Sequence, residues 1–402
     1  MPADKRRRIA VISTSRADYG HLYWVLKELD QSDDVDLRII ATGAHLAPTF
    51  GRTISQFAEH GFTVEAHPEC LLDSDSDTGM AKTIGVSILS LADILDRLRP
   101  DLLLLIADRY EMLAPAATAL ALRIPIAHIE GGEISEGAID DAVRNALTKM
   151  SHLHFVSTWQ ARRRVMALGE ESWRVHRAGA PSLDHLERSD LPDREELEKR
   201  LGLSLETPPT LVAFHPVTLD DDPAAESRAL FGALDAAPGP IIFSFPNADA
   251  GHQAIIEQAR AFCRRRNDAS IHTNLDLFTF WGLLKTAGMM IGNSSSGIME
   301  SPSLAMPCIN IGIRQQGRER ARNIIDVPAR QAAIVEAIGK AGSDAFRQGL
   351  EGMTNPYGDG RAATRIAGVL KNTPLGQELL MKKALRLRDG DPPAFDQDST
   401  TD

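Results

Sequence analysis

The sequence predicts an α/β protein made of two doubly wound, Rossmann-like domains that face each other across a cleft. Its 402 residues are about two to three times the length of a typical domain. Short apolar runs alternate with amphipathic segments, a pattern typical of a parallel sheet covered by helices on both faces. A charged stretch from Asp184 to Pro209 separates two such series and is predicted to be a surface helix followed by a linker.

The strands of both series follow from their apolar runs. The first series has predicted strands at Arg8–Ser13, Asp36–Ala41, Asp101–Ile106, Pro125–Ile129 and His154–Val156. Amphipathic segments such as His21–Asp30 and Ser87–Leu98 are predicted helices between them. The second series has predicted strands at Thr210–Phe214, Pro240–Phe245, Met289–Ile291 and Pro307–Ile311.

These elements predict the domain organisation. Residues 1–183 form an N-terminal domain that carries the catalytic carboxylates, and residues 184–370 form a nucleotide-binding domain. Residues 354–376 are expected to return and pack on the first domain. Residues 371–402 are expected to hold a C-terminal helix and a disordered acidic tail, because the last residues are polar, acidic and proline-containing.

Composition excludes several classes of protein. The net charge of −11 argues against a nucleic-acid-binding surface. Three cysteines far apart in the chain give neither a disulfide framework nor a metal-binding spacing, so a reducing, cytoplasmic location is expected. The apolar run Ile9–Ile12 after the basic N-terminus is too short for a signal peptide or a membrane span. We therefore expect neither nucleic acid nor membrane as a partner.

Two acidic motifs follow neighbouring predicted strands of the first domain. Asp108 and Arg109 come directly after one strand, and His128, Glu130 and Glu133 lie at the end of the next. Ligands bind at the carboxyl edge of open α/β sheets, and paired carboxylates beside a cation suit proton abstraction and donation. The alternative is a salt-bridged rim, or a cap formed by Asp108 on the following helix.

A loop of small residues marks a ligand site in the second domain. Gly292 and Asn293 follow the strand Met289–Ile291, and a predicted helix comes next. Backbone N–H groups at such a helix start, together with serine hydroxyls, bind phosphate, and a carboxylate on the helix could accept hydrogen bonds from ribose. The alternative is that the serines only cap the helix. The chain lacks both the P-loop and the G-x-G-x-x-G pattern. The residues of this predicted phosphate site are Ser294, Ser295, Ser296, Gly297 and Glu300.

Three more loops place basic residues at the same edge. Arg16 follows the first strand, His215 follows the strand ending at Phe214, and Arg314 follows the strand ending at Ile311. Each residue alone could be structural, since such histidines commonly bond a backbone carbonyl and such arginines cap helices. Cations, a serine–glycine loop and carboxylates around one cleft together fit a nucleotide-sugar.

In these motifs the chain resembles the hydrolysing nucleotide-sugar 2-epimerases, which begin sialic and legionaminic-type acid synthesis from UDP-N-acetylglucosamine or a related nucleotide-sugar. The resemblance extends from about Ile9 to about Leu370 and rests on nine motifs: Ser15–Gly20, Gly43–Leu46, Asp108–Glu111, His128–Glu133, Ala138–Asp141, His215–Pro216, Pro246–Asp249, Gly292–Gly297 and Arg314–Arg318. Departures from the family pattern are Ala107, Ile313 and the pair Phe280–Trp281. Arg109 and the Gly131–Glu133 continuation resemble the hydrolysing branch.

The resemblance implies a glycosyltransferase-B-like fold, a nucleotide-sugar bound in the cleft, no metal or other cofactor, and a homodimer or tetramer. It implies elimination of the nucleoside diphosphate to a glycal, then hydration to the free 2-epimer. Asp108, Glu130 and Asp140 are the implied acid–base candidates, and His215 is expected near the diphosphate. Arg144 is expected to hold Asp140 as an i, i+4 pair. The expected binding residues are Arg16, His45, Arg109, Glu133, Arg144, Asn247, Ser294, Ser295, Ser296, Gly297, Glu300 and Arg314.

Other functions remain open at the level of sequence. A glycosyltransferase of the same fold class would not exchange the proton on C2, and a non-hydrolysing epimerase would return the nucleotide-sugar intact. A binding protein without activity would gain nothing from carboxylates beside an anionic ligand. UDP or GDP could carry the sugar, which is N-acetylglucosamine or a 2,4-diacetamido-trideoxy sugar.

Overall fold

The computed structural model describes residues 6–72, 74, 76–135, 139–216, 225–244, 252–272 and 275–385. Within these ranges the chain forms two parallel sheets, and a cleft lies between their carboxyl edges. The predicted α/β class with two doubly wound domains is therefore confirmed.

The first sheet has seven strands in the order β3-β2-β1-β4-β5-β6-β7. They are β1 (Arg7–Ser13), β2 (Val35–Ala41), β3 (Val64–Ala66), β4 (Leu102–Ile106), β5 (Ile126–Ile129), β6 (Leu153–Val156) and β7 (Val175–Arg177). The helices in this half are α1 (Arg16–Asp30), α2 (Ser55–Glu59), α3 (Asp77–Leu98), α4 (Leu113–Ala121), α5 (Asp140–Met150), α6 (Trp159–Ala167), α7 (Asp184–Arg188) and α8 (Arg194–Leu201).

The second sheet has six strands in the order β10-β9-β8-β11-β12-β13. They are β8 (Thr210–Ala213), β9 (Ile241–Ser244), β10 (Ala269–His272), β11 (Met289–Gly292), β12 (Cys308–Ile311) and β13 (Ile324–Val327). The helices are α9 (Ala225–Ala233), α10 (His252–Arg265), α11 (Leu277–Thr286), α12 (Ser295–Met299), α13 (Gln331–Gly342), α14 (Asp344–Gln348), α15 (Ala362–Asn372) and α16 (Gln377–Leu380).

The inner strands form because most of their residues are apolar and buried. All five residues of β4 and all four of β11 are buried, as expected for a parallel strand with helices on both faces. Sequence analysis missed β3, β7, β10 and β13, which lie at the sheet edges. These strands have three or four residues and are partly exposed, so their apolar signal is weak.

The strand order fixes the place where ligands bind. In each sheet the direction of winding reverses at the centre, between β1 and β4 in the first sheet and between β8 and β11 in the second. Loops at such a switch point leave a crevice between them, and this crevice is the usual ligand site of open α/β sheets. The two switch points face each other across the cleft.

The chain returns to the first domain after completing the second. Helix α15 packs against α1, and its Ile366 and Leu370 belong to the same apolar core as Ile9. Asp184 accepts hydrogen bonds from the backbone N–H groups of Ala362 and Ala363, at 2.8 and 2.9 Å. Residues 362–370 thus lie with the first domain in space.

One sequence expectation changes here, and another falls outside the described residues. Asp184 and His185, predicted at the start of a surface helix, are fully buried in the connection between the domains, and α7 and α8 replace the single helix. The predicted disordered tail, residues 389–402, lies outside the described residues. Helix α16 is the last described helix before it.

Candidate active site

Two adjoining cavities form the cleft, and residues from both domains line each of them. The first contains the acidic motifs of domain one, and the second contains the serine loop of domain two. Ala17, His21, Ser295 and Arg314 line both cavities, so the two form one continuous site.

Asp108 and Glu130 end neighbouring strands in an unusual backbone conformation. Ala107, just before Asp108, has φ +59°, and Glu130 itself has φ +67°. A residue other than glycine in this left-handed region costs about 1–3 kcal/mol, and such strain concentrates at functional sites. Backbone hydrogen bonds from Ala107 to Ile129 O (3.0 Å) and from Glu130 to Phe155 O (2.8 Å) hold both turns on the sheet.

Arg144 organises the acidic end of the cleft. It is 1 % exposed and forms an ion pair with Asp108. It also donates to Glu133 O at 3.0 Å and to Ser135 Oγ at 3.1 Å. A buried guanidinium with this many acceptors fixes the carboxylate it contacts.

The expected pair between Arg144 and Asp140 is wrong. Within the described residues Arg144 forms ion pairs with Asp108 and with Asp141, and its guanidinium lies 3.4 Å from Asp141 Oδ1. Asp140, in the first turn of α5, instead lies 3.9 Å from Arg314 of the second domain. The turn of α5 directs Asp140 across the cleft while Arg144 points inward to β4.

Glu130 and Glu133 have opposite electrostatic environments. Burial works to raise the pKa of Glu130, but the charge and hydrogen bond of His21 outweigh it and hold that pKa below its usual value. Burial raises the pKa of Glu133 to about 7, although Arg318 opposes the shift. Two carboxyl groups in one cavity whose surroundings shift their pKa values in opposite directions suit acid–base catalysis.

The serine loop lies at the switch point of the second sheet. Asn293 joins the ends of β8 and β11, accepting from His215 N at 2.7 Å and donating to His215 O at 2.8 Å. Arg314 and Gln315 donate to Asn293 O, at 3.1 and 2.9 Å. His215, the three serines and Arg314 thus surround one end of the second cavity.

The helix after the serine loop is short. Helix α12 has five residues, and Ser294 caps it by accepting from Ser296 N at 3.4 Å. Glu300 ends this helix, is 3 % exposed and accepts a hydrogen bond from Ser182. Its position in the wall of the second cavity suits a diol, as predicted for ribose.

An apolar wall closes the outer part of the second cavity. Leu275, Leu277, Phe280 and Trp281 line it, and Arg16 donates to Leu275 O at 3.0 Å from the other domain. Flat apolar surface beside polar groups is suited to a nucleobase. The departure from the family pattern at Phe280–Trp281 therefore lies where the base would bind.

The structure brings most of the predicted site residues together. The first cavity is lined by Asp108, Arg109, Glu130, Glu133, Asp140, Arg144, Ser295 and Arg314, and the second by Arg16, His215, Ser294, Ser295, Ser296, Glu300 and Arg314. Within the described ranges, no group of three or more His, Cys, Asp or Glu side chains is arranged to hold a metal ion.

Two predicted binding residues, His45 and Gly297, do not line the cleft, and a third cannot be placed. His45 is fully buried, with its ring nitrogens 2.8 Å from Ser13 Oγ and Thr53 Oγ1, so it supports the end of β1. Gly297 is buried where an added Cβ would lie 2.6 Å from Cys308 Sγ, which makes it a packing residue. Asn247 lies outside the described residues.

Sequence reasoning missed His21 and Arg318. His21 is 2.7 Å from Glu130 Oε1, and Arg318 donates across the cleft to Ile134 O at 2.8 Å. The signal for His21 was its spacing, since it lies four residues after Ala17 and therefore on the same face of α1. Arg318 belongs to a motif that was recognised, although Arg314 alone was selected from it.

A family model described as UDP-N-acetylglucosamine 2-epimerase matches residues 27–371. The chain belongs to this epimerase family. The epimerase is 37 % identical over 346 residues to the Campylobacter jejuni GDP/UDP-N,N'-diacetylbacillosamine 2-epimerase (hydrolyzing), covering 85 % of this chain and 89 % of that protein. It is 34 % identical over 377 residues to the Legionella pneumophila UDP-N,N'-diacetylbacillosamine 2-epimerase (hydrolyzing), covering 94 % and 98 %.

The fold of this epimerase also occurs in solved structures. The UDP-N-acetylglucosamine 2-epimerase from Neisseria meningitidis, bound to UDP-N-acetylglucosamine, matches with a TM-score of 0.76 at 16 % sequence identity, covering 90 % of this chain and 99 % of that one. The expected glycosyltransferase-B-like architecture and the resemblance to the epimerase family are therefore confirmed.

Proposed function

We propose that the protein is a hydrolysing 2-epimerase that converts a UDP- or GDP-linked 2-acetamido sugar to the free 2-epimer and a nucleoside diphosphate. One observation carries this proposal. Asp108 and Glu130, on adjacent strand ends of one domain, share a cleft with the serine loop and cations of the other. A nucleotide-sugar that spans the cleft would meet carboxylates at its sugar end and hydrogen-bond donors at its diphosphate.

The chemistry follows from this division. A carboxylate removes the proton on C2 while the diphosphate leaves C1, which gives a glycal. Water then adds at C1 and a proton returns to C2 on the opposite face. The leaving diphosphate carries the largest developing charge, and Arg16, His215 and Arg314 lie where preorganised cations and donors stabilise it best. Asp108, Glu130 and Asp140 are the proposed acid–base groups, and Glu133 is a further proton donor near neutral pH.

The sugar is proposed from the relatives. The two reported relatives at 37 % and 34 % identity are named for N,N'-diacetylbacillosamine nucleotides, so a 2,4-diacetamido-trideoxy sugar is the favoured substrate. UDP-N-acetylglucosamine, for which the family is named, is the second candidate. The free 2-epimers of these sugars are the precursors from which legionaminic-type and sialic acids are built, and the reaction is proposed to occur in the cytoplasm.

Proton NMR of the purified protein in heavy water tests the function. Incubated with UDP-2,4-diacetamido-trideoxyglucose, its GDP counterpart, or UDP-N-acetylglucosamine, the enzyme is expected to release the nucleotide and a free 2-epimer with deuterium at C2. Deuterium in an intact nucleotide-sugar would establish the non-hydrolysing reaction instead. Transfer of the sugar to an added acceptor without exchange at C2 would identify a glycosyltransferase.

We also propose that a second copy of the chain covers α3. Of the described helices, α3 alone is long and apolar enough to span a membrane, but core helices of soluble proteins also meet these two criteria. Its exposed stripe consists of Lys82, Val86, Leu89 and Asp93, and Leu89 is 75 % exposed. An antiparallel pair of α3 helices would place Lys82 opposite Asp93 and Val86 opposite Leu89.

Changing Leu89 to Glu is expected to convert the proposed dimer to a monomer, because a charged carboxylate would then be buried against Val86 of the second copy on each side of the contact. Light scattering after size exclusion measures the mass. The exposed Leu375 lies outside this stripe, so Leu375→Glu is the matched control. A wild-type monomer at micromolar concentration would overturn the proposal.

A further inference from the structure

His21 lies between two carboxylates that come from different domains. Its Nδ1 is 2.7 Å from Oε1 of Glu130, the residue that follows β5. Its Nε2 is 3.9 Å from Oε1 of Glu300, the residue at the carboxyl end of α12. The His21 side chain is 23 % exposed and lines both cavities of the cleft. It is therefore the one described imidazole that contacts an acid–base carboxylate and also faces the second domain.

The surroundings of His21 favour its cationic form. Burial acts to lower its pKa, but the charge and hydrogen bond of Glu130 outweigh burial and raise the pKa to about 9. Glu300 across the cleft and Asp18 on α1 act in the same direction. His185 on α7 is the neighbouring histidine, and burial lowers its pKa to about 4, so it adds no competing charge near pH 7.

Glu130 benefits from this arrangement. A buried carboxyl resists ionisation because low-dielectric surroundings disfavour its charge, yet a general base must be ionised before it can accept a proton. His21 supplies the nearest opposite charge, and Arg318 and His128 are the other groups whose charges act on Glu130 in the same direction. Without His21, the effect of burial would dominate and raise the pKa of Glu130.

We propose that His21 is a positioning residue that holds Glu130 ionised and aimed at the sugar, and that links it to Glu300 of the nucleotide-binding domain. Since Nδ1 is occupied by Glu130, the imidazole acts through that carboxylate. The proposal rests on the proposed function, because an ionised Glu130 matters only where it takes a proton from the sugar. It adds to the site a positioning residue that the recognised motifs do not contain.

The first test is the pH dependence of turnover. His21→Asn keeps a hydrogen-bond donor for Glu130 but removes the charge. This variant is expected to lower kcat by at least about tenfold, with KM little changed. The acid limb of kcat/KM is expected to move upward by about one pH unit or more, which corresponds to a tenfold change in the ionisation of Glu130. His21→Lys restores a cation and is expected to return the acid limb toward its wild-type position.

His176→Asn is the matched control, since His176 lies on β7 beside Phe155 and outside both cavities. A structural role for His21 would lower activity or stability without moving the acid limb. An acid limb that stays in place in an active His21→Asn enzyme would therefore overturn the inference. A wild type that releases no nucleotide from any of the three sugar nucleotides would instead overturn the proposed function.

The second test needs no substrate. Imidazole NMR of histidine-labelled protein, with the His21 signal identified by its loss in His21→Asn, follows protonation directly. His21 is expected to remain protonated well above pH 7 in the wild type and to titrate at lower pH in Glu130→Gln, while the His176 signal stays unchanged. A His21 signal that titrates at the same pH in both proteins would show that the pair does not form.

Discussion

Glu130→Gln and Asp108→Asn are each expected to abolish measurable turnover while leaving affinity for the nucleoside diphosphate largely intact. A positioned acid or base contributes about 10²–10⁴-fold to the rate. Both carboxylates lie in the first cavity, whereas Ser294, Ser296 and His215 line only the second, so an amide there should leave most of the diphosphate contacts in place. Glutamine and asparagine keep the shape and a hydrogen-bonding group but cannot accept the C2 proton.

Turnover in heavy water and calorimetric titration with UDP or GDP measure the two effects separately. Asp268→Asn is the control, because Asp268 precedes β10 and pairs with Arg266 at the amino edge of the second sheet, opposite the carboxyl edge that faces the cleft. Equal loss of nucleotide binding in both cleft variants would show that Asp108 and Glu130 position the ligand or hold the fold. Full activity in either variant would remove that residue from the acid–base set.

Gly292→Ala is expected to have the largest effect on stability. Gly292 ends β11 with φ +150°, and an added Cβ would lie 1.9 Å from Ala213 O, its partner on β8. A strained backbone and an overpacked core each cost about 1–3 kcal/mol, so the domain should lose roughly 2–6 kcal/mol. The clash involves backbone on both sides, which leaves no flexible side chain to move aside.

The urea midpoint of the far-ultraviolet circular dichroism signal measures this change. Gly339→Ala is the matched control, since Gly339 lies in helix α13 and an added Cβ meets nothing within 4 Å. That control should stabilise the protein by about 0.5–1 kcal/mol, because alanine favours the helix. A Gly292→Ala protein with the wild-type midpoint and nucleotide affinity would contradict the described geometry at the switch point.

Much of the site could be predicted because it follows buried strands. The inner strands β1, β4, β5, β8 and β11 are mostly apolar, and each is followed by a polar loop. Parallel strands place these loops at one edge, so Arg16, Asp108, Glu130, His215 and the serines were expected to converge. Their convergence required only local patterns and the general geometry of the fold.

Other expectations failed where a local pattern has more than one spatial solution. His45 resembles a ligand residue in sequence, but the turn after β2 directs it under β1, where two hydroxyl groups contact its nitrogens. Arg144 and Asp140 have helix spacing, yet the stronger attraction of a buried guanidinium is to Asp108 on β4. The edge strands were missed because partial exposure removes the continuous apolar run.

The sequence by itself thus determined the fold class and the loops that form the site, because buried strands leave apolar runs in the chain. Its motifs indicated the family through their resemblance to those of the 2-epimerases. Only the tertiary structure decided which charged groups pair within that site. His21 and Glu130 are separated by 109 residues, and Asp140 and Arg314 belong to different domains. Such partners depend on where the two sheets place their loops. A pattern along the chain indicates which residues are buried, but it does not give the spatial distance between residues that are far apart in sequence.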